Sequence, residues 1–234
     1  MYIDWTYIVL VLPAVLFAMI CSTRVNSSFK KYADIVCSSG ITGAEAARRV
    51  LEANGVYDVA ITSGEGHLSD HYNPRSKTIQ LSAEVYNSAS IAAVGVACHE
   101  AGHAVQHAER YKPLTLRNMI IPATSIGSKA ALPLILLGIL LSYTGSHLIY
   151  IAYAGVGCFA VSTLFQLVTL PTEFNASRRA LRAIEQNKLL TDQEQPGAKQ
   201  VLSAAAMTYV AALAVSVMQL VRLLAIVSRN DRRR

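Results

Sequence analysis

Charge is scarce in this chain, and so are the features of a soluble or nucleic-acid-binding protein. Only 15% of its 234 residues are charged while 53% are apolar, where an ordinary soluble domain carries about 25% charged residues. Mean hydropathy is +0.35. The four cysteines, Cys21, Cys37, Cys98 and Cys158, show no C-x-x-C spacing. They read as small buried thiols in a reducing compartment and not as a disulfide framework. No Lys or Arg precedes the first apolar run, and no clear small-residue cleavage site comes before Arg24. That absence favours a retained anchor over a removed signal peptide. No basic stripe interleaved with aromatic residues occurs, so the net charge of +6 does not point to nucleic acid.

The basic residues instead flank apolar runs. Arg24, Lys30 and Lys31 follow the first; Arg110, Lys112 and Arg117 precede the second; Arg178, Arg179, Arg182 and Lys188 follow the third. Residues 7–21 are uncharged, with Trp5 and Tyr7 as an aromatic anchor. Residues 130–170 hold no charged side chain, and the polar stretch 142–147 divides them into a helical hairpin. A last apolar run covers 201–227 and is interrupted only by Arg222. These lengths predict a multi-pass helical protein of the cell membrane, in contact with the lipid bilayer. The expected organisation is an anchor over 1–23, an extramembrane domain over 24–118, a transmembrane hairpin over 119–170, a helix over 171–200, and a C-terminal span with a basic tail over 201–234. The basic flanks place 24–118 and 171–200 on the cytoplasmic side. The tail 229–234, which would then lie outside, runs against that tendency.

What stands out against this background is His99-Glu100-Ala101-Gly102-His103. It lies in a stretch, 91–109, that reads as helix throughout. Residues four apart share a helix face, so both imidazoles can bind one Zn²⁺, and Glu100 sits where a carboxylate can take a proton from the activated water. Catalytic zinc takes three protein ligands. Gln106 and Glu109 occupy the positions where a metzincin has Gly and His. A rigid helix carries His107 a turn past the metal, which makes it a neighbour of the site and not a ligand. The better candidate is Glu173. Pro171 is expected to end an apolar segment, Thr172 to cap, and Glu173 to open a new helix, with a favourable charge at its N-terminus as the plain alternative. Cys98 is turned about 100° from His99 and is not assigned to the metal.

The polar segment between the first span and the motif predicts a small α+β domain. Thr42 and Glu45 form a capping box for a short amphipathic helix that Gly55 stops. Residues 56–61 and 78–82 read as strands, 68–75 as a turn-rich loop, and 83–87 as helix, with Ser88 or Ser90 capping the metal helix. Strand 78–82 is expected to be an edge strand that holds an extended substrate by backbone hydrogen bonds. His67 and His71 read as surface groups.

Taken together, these residues resemble the small bacterial neutral zinc metallopeptidases, the YugP-like family. The resemblance is carried by the N-terminal anchor, by His71-Tyr72-Asn73-Pro74-Arg75-Ser76-Lys77 before Ile79-Gln80-Leu81-Ser82, and by Cys98 through His107. It continues in Leu170-Pro171, Glu173-Phe174-Asn175-Ala176-Ser177-Arg178-Arg179-Ala180 and the stretch 204–212. It implies a polytopic, mainly α membrane protein with a zincin-like domain of gluzincin type. It also implies zinc as cofactor, His99, His103 and Glu173 as ligands, Glu100 as general base, and proteins or peptides as substrates. The arrangement is also similar to membrane proteases that cleave prenylated or damaged membrane proteins. The chain departs from the expected pattern at Asn73 and Asn175, where aspartates are expected; an Asn there can donate and accept hydrogen bonds but supplies no charge. His71, Tyr72, His107 and Tyr209 remain candidates for stabilising the oxyanion. Two rival readings are an intramembrane metalloprotease and a membrane scaffold or chaperone partner with a vestigial metal site. No Leu-Asp-Gly partner supports the first, and a complete His₂Glu set with Glu100 argues against the second.

Overall fold

A computed structural model describes residues 5–67 and 69–232. The expectations that fall on residues 1–4, Leu68, Arg233 and Arg234, including the end of the basic tail, lie outside the described residues. The helices are α1 Leu12–Ala33, preceded by a π-helical turn at Tyr7–Val11, then α2 Gly43–Ala53, α3 Ala83–Tyr86, α4 Ile91–Ala108, α5 Lys112–Leu141, α6 Ile149–Gln186 and α7 Gln195–Asp231. The strands are β1 Ala60–Gly64, β2 His71–Asn73 and β3 Thr78–Ser82. Two compact units emerge. One comprises Cys21–Thr115 and Pro171–Thr208; the other comprises the described residues up to Ile20, Leu116–Leu170 and those from Tyr209 onward.

The first unit is the α+β part. Its helix α2 starts on the capping box: the Thr42 side chain accepts from Glu45 N–H, and the Glu45 carboxylate accepts from Thr42 N–H. It stops at Gly55, whose φ of +70° suits the left-handed position where the chain leaves a helix. The sheet order is β1-β3-β2, with β1 parallel and β2 antiparallel to β3. Strand β3 is thus central. Its alternation buries Ile79 and Leu81 completely, and these join Leu51, Val85, Val94, Ile184 and Leu189 in one core. Two expectations are corrected here. Thr78–Ser82 is not an edge strand, because β1 and β2 pair with it on its two sides, which nothing in its own residues announces. The loop 68–75 contains β2, which pairs back across the turn so that His71, Tyr72 and Asn73 oppose Gln80, Ile79 and Thr78.

The second unit is helical and closely packed. A Cβ on Gly138 of α5 would lie 2.2 Å from the Ala152 nitrogen of α6, and one on Gly155 would lie 2.7 Å from the Ala131 carbonyl oxygen. Such small residues let apolar helices touch through their backbones. Thr163 and Ser216 hydroxyls meet at 2.8 Å. The Arg222 guanidinium sits 5.3 Å from the centre of the Tyr7 ring, a cation–π placement for the one charge in the last apolar run. Four helices, Tyr7–Ala33, Lys112–Leu141, Ser146–Gln186 and Gln195–Asp231, are long and apolar enough to cross a membrane. The protein is a helical membrane protein with a small α+β part.

Helix α6 brings a further correction. It runs without interruption through Pro171, so Glu173 lies well inside it and does not open a new helix after a Thr172 cap. A proline removes one backbone hydrogen bond, and helices of membrane proteins tolerate that loss where neighbours pack around it. Pro122 and Pro133 likewise lie inside α5.

Candidate metal centre

Helix α4 begins at Ser90, whose hydroxyl accepts from Ala93 N–H at 3.2 Å. Four residues per step then stack His99 and His103, their rings edge to face at 4.7 Å. Glu173 reaches them from α6. Its approach depends on Gly102, where a Cβ would lie 2.9 Å from the Ala176 carbonyl oxygen; the two helices meet backbone to backbone at the centre of the motif. Each of His99, His103 and Glu173 offers one atom to a group that lies within 4.8 Å. Both imidazole Nε2 atoms stand 3.4 Å from Glu173 Oε2, and the glutamate is only 2% exposed.

The outer nitrogen of each imidazole is already occupied. His99 Nδ1 lies 3.2 Å from the Ser177 hydroxyl, and His103 Nδ1 lies 3.0 Å from Gln106 Oε1. The Gln106 amide nitrogen donates to the Thr172 carbonyl and to Asn175 Oδ1, both at 2.9 Å. With its N–H groups spent on oxygens, Gln106 must turn its carbonyl to His103. Nδ1 is then the protonated nitrogen, and the Nε2 lone pair faces Glu173. Asn175 Oδ1 also accepts from Arg179 Nε at 2.7 Å.

These residues fit zinc. Bonds of about 2.0–2.2 Å in a tetrahedron separate neighbouring ligand atoms by about 3.3–3.6 Å, which is the spacing between Glu173 and each imidazole. Two neutral imidazoles and a carboxylate, with the imidazoles held from behind, are the donor set and support that zinc requires. Glu100 is 8% exposed and makes no hydrogen bond among the described residues. Burial pushes its carboxyl above the ordinary carboxylate range, while the neighbouring His99 and His103 pull the other way. A buried carboxylate without a protein partner is suited to meet a water or a substrate.

The remaining predicted groups go elsewhere. His67 pairs with Glu84, and His71 Nδ1 lies 2.9 Å from the Ser69 carbonyl. His107 meets the Tyr72 hydroxyl at 2.8 Å, and burial pushes that phenol up to about 12. Cys98 is fully buried and outside the metal group. Tyr209 belongs to the other unit. Asn73 accepts from the Arg75 N–H at 3.0 Å and so shapes the β2–β3 turn, a task an Asn performs as well as an Asp. Sequence reasoning missed Gln106 and Ser177. Their signal was their spacing: three residues after His103 and four after Glu173, each on the same helix face as its neighbour.

The class of protein that this site and these helices define is a membrane-bound zinc peptidase, and the comparisons agree. The chain belongs to the family described as "Putative neutral zinc metallopeptidase", whose profile matches residues 7–228. The "Putative membrane protease YugP" of Bacillus subtilis (strain 168) is 46% identical to it over 199 residues, 85% of this chain and 86% of the relative. No solved structure matches the chain.

Proposed function

We propose that the protein is a zinc endopeptidase of the cell membrane that hydrolyses peptide bonds with His99, His103 and Glu173 as ligands and Glu100 as general base. The observation that carries this reading is the pair of 3.4 Å separations from Glu173 Oε2 to the two imidazole nitrogens, beside the buried Glu100, whose carboxylate makes no hydrogen bond among the described residues. Bound zinc would supply the Lewis acidity that activates a water and polarises a carbonyl. Glu100 takes the proton of that water and passes it to the leaving amine. Gln106 and Ser177 keep both imidazoles aimed throughout. Strand β3 is paired on both sides, so the substrate backbone is assigned to the outer edge of β2. Tyr72 ties that strand to α4, and His71 and Asn73 face outward. The four helices suited to crossing a membrane do not include α4, which favours this reading over an intramembrane protease.

Purified protein should hold about one zinc per chain and cleave casein until a chelator is added. Glu100→Gln should keep the metal and lose about 10²–10⁴-fold in rate. Robust cleavage by Glu100→Gln would overturn the assignment.

The basic flanks assign residues 24–118 and 171–200 to the cytoplasmic face. A cysteine placed at Ser146 should be labelled from outside intact cells, and one at Ser38 should not. The opposite pattern would invert the topology.

A further inference from the structure

A cavity of about 290 Å³ opens on the first unit, lined in part by Val50 of α2, Gly102 and Val105 of α4, and Arg178, Arg179 and Arg182 of α6. None of His99, His103 and Glu173 lines it. Arg178 and Arg182 follow Glu173 by five and nine residues, which turns them about 140° and 180° around the helix from the ligand. Three guanidinium groups within five residues are a concentrated charge, and only one is answered. Arg179 donates to Glu109 Oε2 and to Asn175 Oδ1, both at 2.7 Å. Arg178 and Arg182 are exposed and make no ion pair or hydrogen bond among the described residues. They stand four apart on one helix face, a like-charge spacing that costs stability unless something negative lies between them.

We propose that this cavity binds a phosphate group, held by the forks of Arg178 and Arg182. The argument is one of matching. Two unpaired guanidinium forks present more parallel N–H donors than a carboxylate has oxygens, and a tetrahedral phosphate can answer both. The Glu109 carboxylate also lines the cavity, but it is already matched by Arg179, which leaves the charge of Arg178 and Arg182 for the ligand. The volume is at the lower end of ligand pockets, enough for a phosphate and its immediate substituents. Two sources share this chemistry: a soluble phosphate, and the headgroup of an anionic lipid. Arg178 comes eight residues after Leu170, where the uncharged run ends. The cavity is also wired to the metal centre, because Arg179, Asn175, Gln106 and His103 form one chain of hydrogen bonds.

The test uses the full chain in phosphatidylcholine nanodiscs. Inorganic phosphate, titrated calorimetrically against chloride at matched ionic strength, is the first probe. Nanodiscs with ~30% phosphatidylglycerol, an anionic fraction at which basic clusters bind lipid, followed by mass spectrometry of retained lipid, are the second. Arg178→Gln with Arg182→Gln should weaken phosphate binding, phosphatidylglycerol retention or both by about tenfold or more, as expected for losing charged hydrogen bonds. Arg24→Gln with Lys30→Gln, which removes the same charge elsewhere, should change neither by more than about twofold. Phosphate binding identifies a soluble ligand; lipid retention without phosphate binding identifies the headgroup. Equal behaviour of wild type and the arginine variant towards both probes overturns the site, as does an equal loss in the control pair. Should the glutamine variant fail to fold, Arg178→Lys with Arg182→Lys keeps the charge and removes the fork, and wild-type affinity there overturns the proposal as well.

Discussion

Two helix contacts in this chain use the same device to different ends. Gly138 and Gly155 let α5 and α6 touch through their backbones in the apolar unit, and Gly102 lets α4 and α6 do so beside the metal group. Around the first pair the neighbours are aliphatic: Ile135, Ile149, Ala152 and Val156. Around Gly102 they are polar, with Gln106 fully buried and donating to Thr172 and Asn175. Close approach serves packing alone in one place. In the other it also brings hydrogen-bond partners within reach. The first contact is therefore vulnerable to bulk and the second to a lost partner.

Bulk should give the largest effect. Gly138→Leu would drive side-chain atoms into the Ala152 backbone and should destabilise the protein by about 3 kcal/mol, the upper range for overpacking, measured as a lower unfolding midpoint in detergent. An unchanged midpoint would show that α5 and α6 do not meet there. Polarity should matter next. Gln106→Leu removes the acceptor of His103 Nδ1 and should weaken zinc binding about 10–100-fold in competition with a chelator. Ser177→Ala, which loses a longer contact, should cost less. If Gln106→Leu binds zinc as the wild type does, orientation by Gln106 is not what holds His103.

The smallest effect should lie at the turn into α7. Burial works against the Glu194 carboxylate, but hydrogen bonds from the Thr191 N–H and from Ser38 hold it down at about 2. A depressed folded value means that the contribution is present above the unfolded value of about 4.3 and is lost as pH falls from there towards 2. Melting chelator-treated protein between pH 7 and pH 3 should show a steeper acid loss for the wild type than for Glu194→Gln. Parallel curves would remove Glu194 from this role.

What was legible in the sequence was what neighbouring residues decide. The capping box at Thr42 and Glu45, the Ser90 cap and the paired histidines all depend on spacings of three or four, and the structure forms them as those spacings require. Glu173 was legible only through a helix start that the structure does not show, and it meets the histidines from inside α6. The sheet order was not legible, because nothing in Thr78–Ser82 says that a strand lies on each side. β2 has three residues, too few for an alternation to register. Helix α6 defeated a rule drawn from water, where Pro171 would end a helix. The end of α6 was hidden for a different reason. Lys188 takes a left-handed position with φ of 50°, a place where a glycine would have announced the stop.

The groups behind the imidazoles also set the electrical balance of the centre. Ser177 and Gln106 are neutral, where carboxylates often stand behind metal-bound histidines. A zinc dication held by two uncharged rings and one carboxylate would retain one positive charge, and an ionised Glu100 would bring the whole to neutrality. Two further acids would have made it doubly negative and repelled the carboxylate at the end of every peptide. As built, the centre does not repel them: under the proposed activity a newly made C-terminus would be free to linger, so short peptide products are expected to act as competitive inhibitors.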